Sequence, residues 1–127
     1  MEKIIIIKVD VDGTIVKDKF PEIGEPLPMA IYTIKKLKEH GYRLILWTCR
    51  EGKNLSDVID FLEQLGIVFD VVNEGHPDSP FAHLGKNRKP YAHYHIDDKN
   101  FGYTVDWQVI HDYFFIEKKY HEQPAEK

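Results

Sequence analysis

Four carboxylates in this chain fall where chemistry is possible: Asp10 and Asp12 in "VDVDGT", and Asp97 and Asp98 in "HIDD". Each pair ends an apolar, β-forming run, "KIIIIKVDV" in the first case and "YAHYHI" in the second. Buried strands do not keep ionised carboxylates unless something pairs with them. In an extended chain residues two apart face the same side, so Asp10 and Asp12 can look into one pocket. With a third carboxylate from another strand they make an oxygen-only site for a hard cation. Mg²⁺ suits it, because it accepts one or two carboxylates and keeps several waters. Such an ion cancels carboxylate repulsion and lets a phosphate dianion approach. One carboxylate can then attack phosphorus while its neighbour handles the proton of the leaving oxygen and later that of water. Gly13 permits the turn, Thr14 can bond within it, and Thr48 with a nearby lysine can hold the phosphoryl oxygens.

The elements that must position these residues follow from periodicity. Residues 3–11 read as a buried strand, 42–48 ("YRLILWT") as a second, 67–72 ("IVFDVV") as a third and 91–96 as a fourth. Residues 13–27 are rich in Gly, Pro and charge and read as a loop with a small hairpin. A helix follows, with Pro28 in its first turn and Ile31, Ile34 and Leu37 at helical spacing up to Gly41. A second helix is expected with Asn54 as its cap, Val58, Leu62 and Leu65 as its stripe and Gly66 at its end. Residues 73–90 read as a long loop. A last helix starts near Asp106 and carries Trp107, Ile110, Tyr113 and Phe114 on one side. Alternating strands and helices predict an α/β fold, a three-layer Rossmann-like parallel sheet with helices on both faces. Ligands bind such sheets beyond the carboxyl ends of the strands. Asp10 and Asp12, Thr48 and Arg50, and Asp97 and Asp98 are therefore expected to converge on one edge.

Size and composition bound the function. The 127 residues suffice for one domain, expected over 1–120 with a frayed tail over 121–127. A net charge of −4 argues against a general nucleic-acid or membrane-surface binder. Ile4 to Ile7 is too short to span a bilayer, and Lys8 and Asp10 interrupt it too early for a secretory leader. A single cysteine, Cys49, excludes an internal disulfide and fits a cytoplasmic setting.

"DVDGTI" at 10–15 resembles the first motif of the haloacid dehalogenase (HAD) superfamily of phosphohydrolases, carried by Asp10, Asp12 and Thr14. Thr48 in "LILWTCR" matches the second motif, and Asp97 and Asp98 match the fourth. The third, a lysine upstream of the acidic pair, is met by either Lys86 in "GKN" or Lys89 in "RKP", with Lys89 favoured because it directly precedes the fourth strand. The resemblance implies that Asp10 binds Mg²⁺ and attacks phosphorus. It implies that Asp12 binds the ion through its backbone carbonyl and serves as general acid/base, and that an acid of the pair Asp97–Asp98 completes the metal site. Thr48 and Lys89 then act in catalysis, while Gly13, Thr14, Cys49, Arg50 and Lys86 line the substrate side. The gaps after Thr14 and over 73–90 are too short for the cap domain found in many relatives. The chain thus resembles a small capless phosphatase; the resemblance implies either a large substrate or a neighbouring subunit as lid, and the expectation here is a small phosphorylated molecule at a site that a second copy can cover.

Two other readings compete. A signalling receiver domain also combines acids, a hydroxyl and a lysine on a parallel sheet, but its phosphorylated Asp would fall near Asp70, which precedes the apolar end of its strand. A HAD-like pseudoenzyme that binds phosphate without turnover is the other. The pair His93 and His95 falls on one strand face and raises zinc, yet lacks a third nitrogen or sulfur ligand.

Overall fold

The computed structural model describes residues 3–84, 90–99 and 105–117. Strands β1 (Ile6–Val9), β4 (Arg43–Leu46), β5 (Val71–Val72) and β6 (Tyr94–Ile96) form a parallel sheet in the order β5-β4-β1-β6. Strands β2 (Val16–Lys19) and β3 (Glu22–Pro26) make a separate antiparallel hairpin. The helices are α1 (Ala30–Glu39), α2 (Gly52–Gln64) and α3 (Trp107–Asp112), the last running into a π-helical turn at Tyr113–Glu117.

β1 is inside the sheet because its side chains demand burial on both faces. Ile7 and Val9 join Leu44, Leu46 and Ile96 in one core with Ile34 and Leu37 of α1, Val58 and Leu62 of α2, and Trp107 and Ile110 of α3. Ile6 and Ile45 alternate with these residues and are also fully buried, so the opposite face is covered too. Arg43 shares that second face by alternation, and its Nε donates to Asp78 at 2.9 Å. The segment after β5 therefore runs across it. The steps β1→β4→β5 go one way along the sheet, so right-handed crossovers place α1 and α2 on one side. Only the return from β5 to β6 takes the other side, and its described part, 73–84, holds a single 3₁₀ turn at Ala82–Leu84. The result is an α/β fold with a parallel sheet, but among the described residues all three α-helices pack on one face, where helices on both were expected; the opposite face is crossed by the segment 73–84 with its 3₁₀ turn.

The strands are shorter than their apolar runs because side chains and turns take over the ladder at their ends. At Ile6 the amide bonds His93 Nδ1 at 3.0 Å, so β6 begins at Tyr94 and not at Tyr91. This also engages one of the two histidines that raised zinc. Leu44 donates its amide to Asp70 Oδ2 at 2.8 Å, which leaves β5 only two residues. Asp70 further accepts from Lys38 Nζ and lies 3.1 Å from His76 Nε2. His76 Nδ1 accepts the Asp78 amide at 3.0 Å, so Nε2 carries the ring proton. Asp70 thus anchors the crossing segment at the amino end of β5, away from the edge where Asp10 and Asp98 lie, which removes the basis for a receiver-type phosphoacceptor there. Helix α1 begins at Ala30, after Met29 in a left-handed conformation, so Pro28 precedes it. Helix α2 begins at Gly52, so Asn54 stands within its first turn and does not cap it; Glu51 occupies the cap position without a side-chain bond. Asp106 does cap α3, its carboxylate accepting from the amides of Gln108 and Val109.

Only the β2–β3 hairpin stands between β1 and α1, so no cap domain is inserted there. No helix among the described residues is long and apolar enough to cross a membrane. Lys86, Lys89 and the tail over 121–127 lie outside the described residues.

The hairpin has one point of close approach. Its register shifts between Val16 and Asp18, and a Cβ on Gly24 would overlap the Lys17 carbonyl oxygen. Gly24→Val is expected to destabilise the protein by about 1–3 kcal/mol through this overlap. Thermal denaturation checks it, with Gly75→Ala as a control, since a Cβ at Gly75 meets nothing within 4 Å.

Candidate active site

The carboxyl ends of three sheet strands deliver the expected residues to one edge. Asp10 follows β1, with its amide bonded to the Ile96 carbonyl at 3.0 Å. This bond fixes the end of β1 against the end of β6, where Asp97 and Asp98 begin. The chain then turns sharply. The Val11 carbonyl accepts the amides of Thr14 at 3.1 Å and Ile15 at 2.9 Å, and Gly13 donates to the Val16 carbonyl at 2.8 Å. Gly13 has φ +81°, and a Cβ there would collide with the Asp98 carboxylate, so glycine is required twice over. Trp107 Nε1 donates to the Thr14 carbonyl at 2.7 Å from a fully buried position and clamps this turn to α3.

Asp98 lies against the Gly13 backbone. Lys99 Nζ reaches its Oδ2 at 3.2 Å, while its buried Oδ1 has no hydrogen-bond partner among the described residues. Asp97 turns the other way, with Oδ1 accepting the Lys99 amide at 2.9 Å. Asp98 is therefore the member of the pair that faces the Asp10 turn. The Asp10 carboxyl is pushed up to about 6, chiefly by burial, with Asp98, Asp12 and Asp97 adding repulsion against a favourable bond from the Val11 backbone.

Asp12 is held differently. Arg50 Nε and Nη2 grip its two oxygens, each at 2.8 Å. The arginine is almost wholly buried, and this bond holds its proton even more firmly than usual. Thr48 sits at the end of β4 with its hydroxyl accepting the Arg50 amide at 3.1 Å, so its own O–H is left to donate elsewhere. Cys49, between them, is exposed. Thr14 is fully buried, and its hydroxyl has no partner among the described residues. Asn73 is an addition to the expected set. It follows β5 at φ +55° and its Oδ1 accepts the Thr48 amide at 2.8 Å, which steadies the turn that presents the hydroxyl. An Asn just past an apolar strand is the signal for it, since Asn tolerates the left-handed conformation.

No three metal-binding side chains among the described residues form a ready coordination cage. With Asp12 turned to Arg50, the oxygens available to a hard cation are the carboxylates of Asp10 and Asp98 and the carbonyls of the turn. That set fits Mg²⁺, which takes few protein ligands. The orphaned Asp98 oxygen and the Asp10 carboxyl, raised by burial and by its acidic neighbours, are groups whose chemistry suits such an ion.

A family model for haloacid dehalogenase-like hydrolases matches residues 7–101. Among solved structures, a conserved protein from Bacteroides thetaiotaomicron is similar, at 37% identity over 98% of this chain and 100% of that one, with a TM-score of 0.78. The D,D-heptose 1.7-bisphosphate phosphatase from B. bronchiseptica, complexed with magnesium and phosphate, shares 21% identity over 54% of this chain and 48% of that one. Its TM-score of 0.45 is too low to carry an argument. No curated protein matches.

The state of Asp10 sets a pH dependence for the metal-free protein. A carboxyl raised from 3.8 to about 6 binds its proton more tightly in the folded chain. Its stabilisation is complete below pH 3.8 and is lost as pH rises through about 6. Asp10→Asn, neutral at every pH, is expected to be more stable than wild type above that range by about 1–2 kcal/mol, after allowing for solvent screening at a half-buried group. The difference should vanish at acid pH. Denaturant titrations in chelator at several pH values test it, and a pH-independent difference would contradict it.

Proposed function

Because the chain belongs to the haloacid dehalogenase-like hydrolases, we propose that it is an Mg²⁺-dependent phosphomonoester hydrolase working through an aspartyl-phosphate. The observation that carries this reading is the arrangement around Asp10: a half-buried carboxylate at a strand end, repelled by three acids, beside an orphaned carboxylate oxygen of Asp98. Mg²⁺ held by Asp10, Asp98 and the Asp12 carbonyl would supply the positive charge that lets a phosphate dianion approach these acids.

The residues of the chain divide the remaining work. An Asp10 oxygen attacks phosphorus, and the bond from phosphorus to the leaving oxygen breaks. Asp12, protonated on a lone pair that Arg50 does not use, gives that oxygen its proton and takes one back from the water that attacks the aspartyl-phosphate. Cleavage of the bond between phosphorus and Asp10 releases inorganic phosphate and restores the carboxylate. Thr48 offers its O–H to a phosphoryl oxygen, and Lys86 or Lys89 adds a positive charge there. The substrate is a small phosphorylated molecule, and a second copy of the chain can cover the mouth in place of a cap. A reducing cytoplasm suits a protein whose single cysteine, Cys49, is exposed at this edge.

Hydrolysis of p-nitrophenyl phosphate, followed with and without Mg²⁺, is the direct test. Metal-dependent turnover is expected in the wild type, with a loss of about a thousandfold or more in Asp10→Asn. An active Asp10→Asn protein would reject the nucleophile. Asp12→Asn is expected to lose turnover yet still bind vanadate, and full activity in that variant would reject the acid/base role.

A further inference from the structure

Arg50 has five N–H donors, and the structure accounts for all of them. Nε and one Nη2 hydrogen go to Asp12. The second Nη2 hydrogen goes to the Glu22 carbonyl at 2.9 Å, and Nη1 donates to the carbonyls of Pro21 at 3.0 Å and Asn54 at 3.5 Å. Its Cζ lies 5.1 Å from the ring of Phe20, which is more than half exposed at the hairpin tip. A guanidinium with every donor engaged has none to offer a phosphate.

We propose that Arg50 is a positioning residue that locks the Asp12 carboxylate to the tip of the β2–β3 hairpin, so that the hairpin is part of the machinery that aligns the acid/base. This rests on the phosphohydrolase reading above. The hairpin contributes the Pro21 and Glu22 carbonyls and the ring of Phe20, from a turn whose side chains are mostly exposed. Lys17, Asp18, Lys19 and Glu22 are all exposed, and Ile23 alone of residues 17–23 packs against the core, so Arg50 supplies the polar anchor of the tip. Arg50 comes from the turn after β4, Asn54 from α2 and Asp12 from the turn after β1, so one side chain ties the hairpin to three other segments. Removing Arg50 leaves Asp12 free to choose among rotamers and lets the tip lift. Removing the tip leaves two guanidinium hydrogens unbonded and loosens the grip on Asp12 from the other side.

The test has two arms. In the kinetic arm, Arg50→Gln is compared with a chain in which Asn-Gly joins Lys17 directly to Gly24 in place of residues 18–23. Gly24 already packs against the Lys17 carbonyl, so a two-residue turn can close there. Each change alone is expected to lower kcat about a hundredfold or more while KM moves less than about threefold. The double variant should be no worse than the poorer single one, because both act through one contact. A rise in KM with kcat unchanged would assign Arg50 to phosphate binding and overturn the proposal, as would additive losses.

The second arm needs no turnover. Trypsin can cut after Lys17 and Lys19 when the tip lifts. Cutting there is expected to speed up about tenfold in Arg50→Lys and in Asp12→Ala, and not in Asp10→Asn. Unchanged cutting in the first two variants would overturn the proposal even if the protein proved to hydrolyse phosphates. Faster cutting in a protein with no hydrolase activity would keep the lock and reject the reaction.

Discussion

A strand buried on both faces and hydrogen-bonded along both edges has little room for carboxylates except at its ends. β1 is such a strand, with β4 on one side and β6 on the other and with Ile6, Ile7 and Val9 fully buried; its one internal charge, the half-buried Lys8, lays its ammonium over the Trp47 ring at 5.0 Å. Asp10 and Asp12 are tolerated because they fall just beyond this limit. The neighbours are parallel, so their last residues arrive at the same edge, and their polar ends must share it. Asp98, Thr48 and Arg50 are brought beside Asp10 and Asp12 by that one constraint. The repulsion that lifts the Asp10 carboxyl follows from the same crowding.

The edge is then made rigid by contacts from distant parts of the sequence. The turn after β1 is closed by the Val11 carbonyl and fastened through Thr14 to the indole of Trp107. The turn after β4 is steadied by Asn73 from the far side of β5. The Trp107 and Asn73 bonds join side chain to backbone and satisfy groups that no ladder partner reaches past the strand ends. Such support suits a site whose reacting atoms must be held to within fractions of an ångström.

Much of this arrangement is legible in the sequence. Apolar runs ending in acids announce both the strands and their edge, and "DVDGT" with the later Thr48 and acidic pair announces the family. Less legible are relations between residues far apart in the chain. Arg50 reads as a site residue from its place after β4, yet its commitment to Asp12 and to the hairpin tip depends on segments some thirty residues away. Nothing in local spacing marks Asn73 as the partner of the Thr48 amide. The strands are shorter than their apolar runs for a similar reason. Periodicity reports which residues are apolar, but His93 and Asp70 displace backbone partners with side chains, and that exchange is invisible until the chain is folded. The expected helix cap at Asn54 failed because the turn after Thr48 winds into α2 early, so that Asn54 gives its carbonyl to Arg50 instead.

The cluster at the opposite end of the sheet has its own significance. Asp70 gathers Lys38, the Leu44 amide and His76, and through His76 and Asp78 it pins the long crossing segment to the second face. Those bonds lie at the amino end of β5, while the acids lie at the carboxyl end of β1. The protein therefore separates its durability from its chemistry along the length of the strands. Changes in the Asp70 cluster can drift the amount of folded protein up or down without touching the groups proposed to react. The chemical edge can accumulate costly features, such as repelling acids and an unsatisfied oxygen, because the other end underwrites them. A lineage built on this plan could explore new substrates at one end while holding its architecture constant at the other.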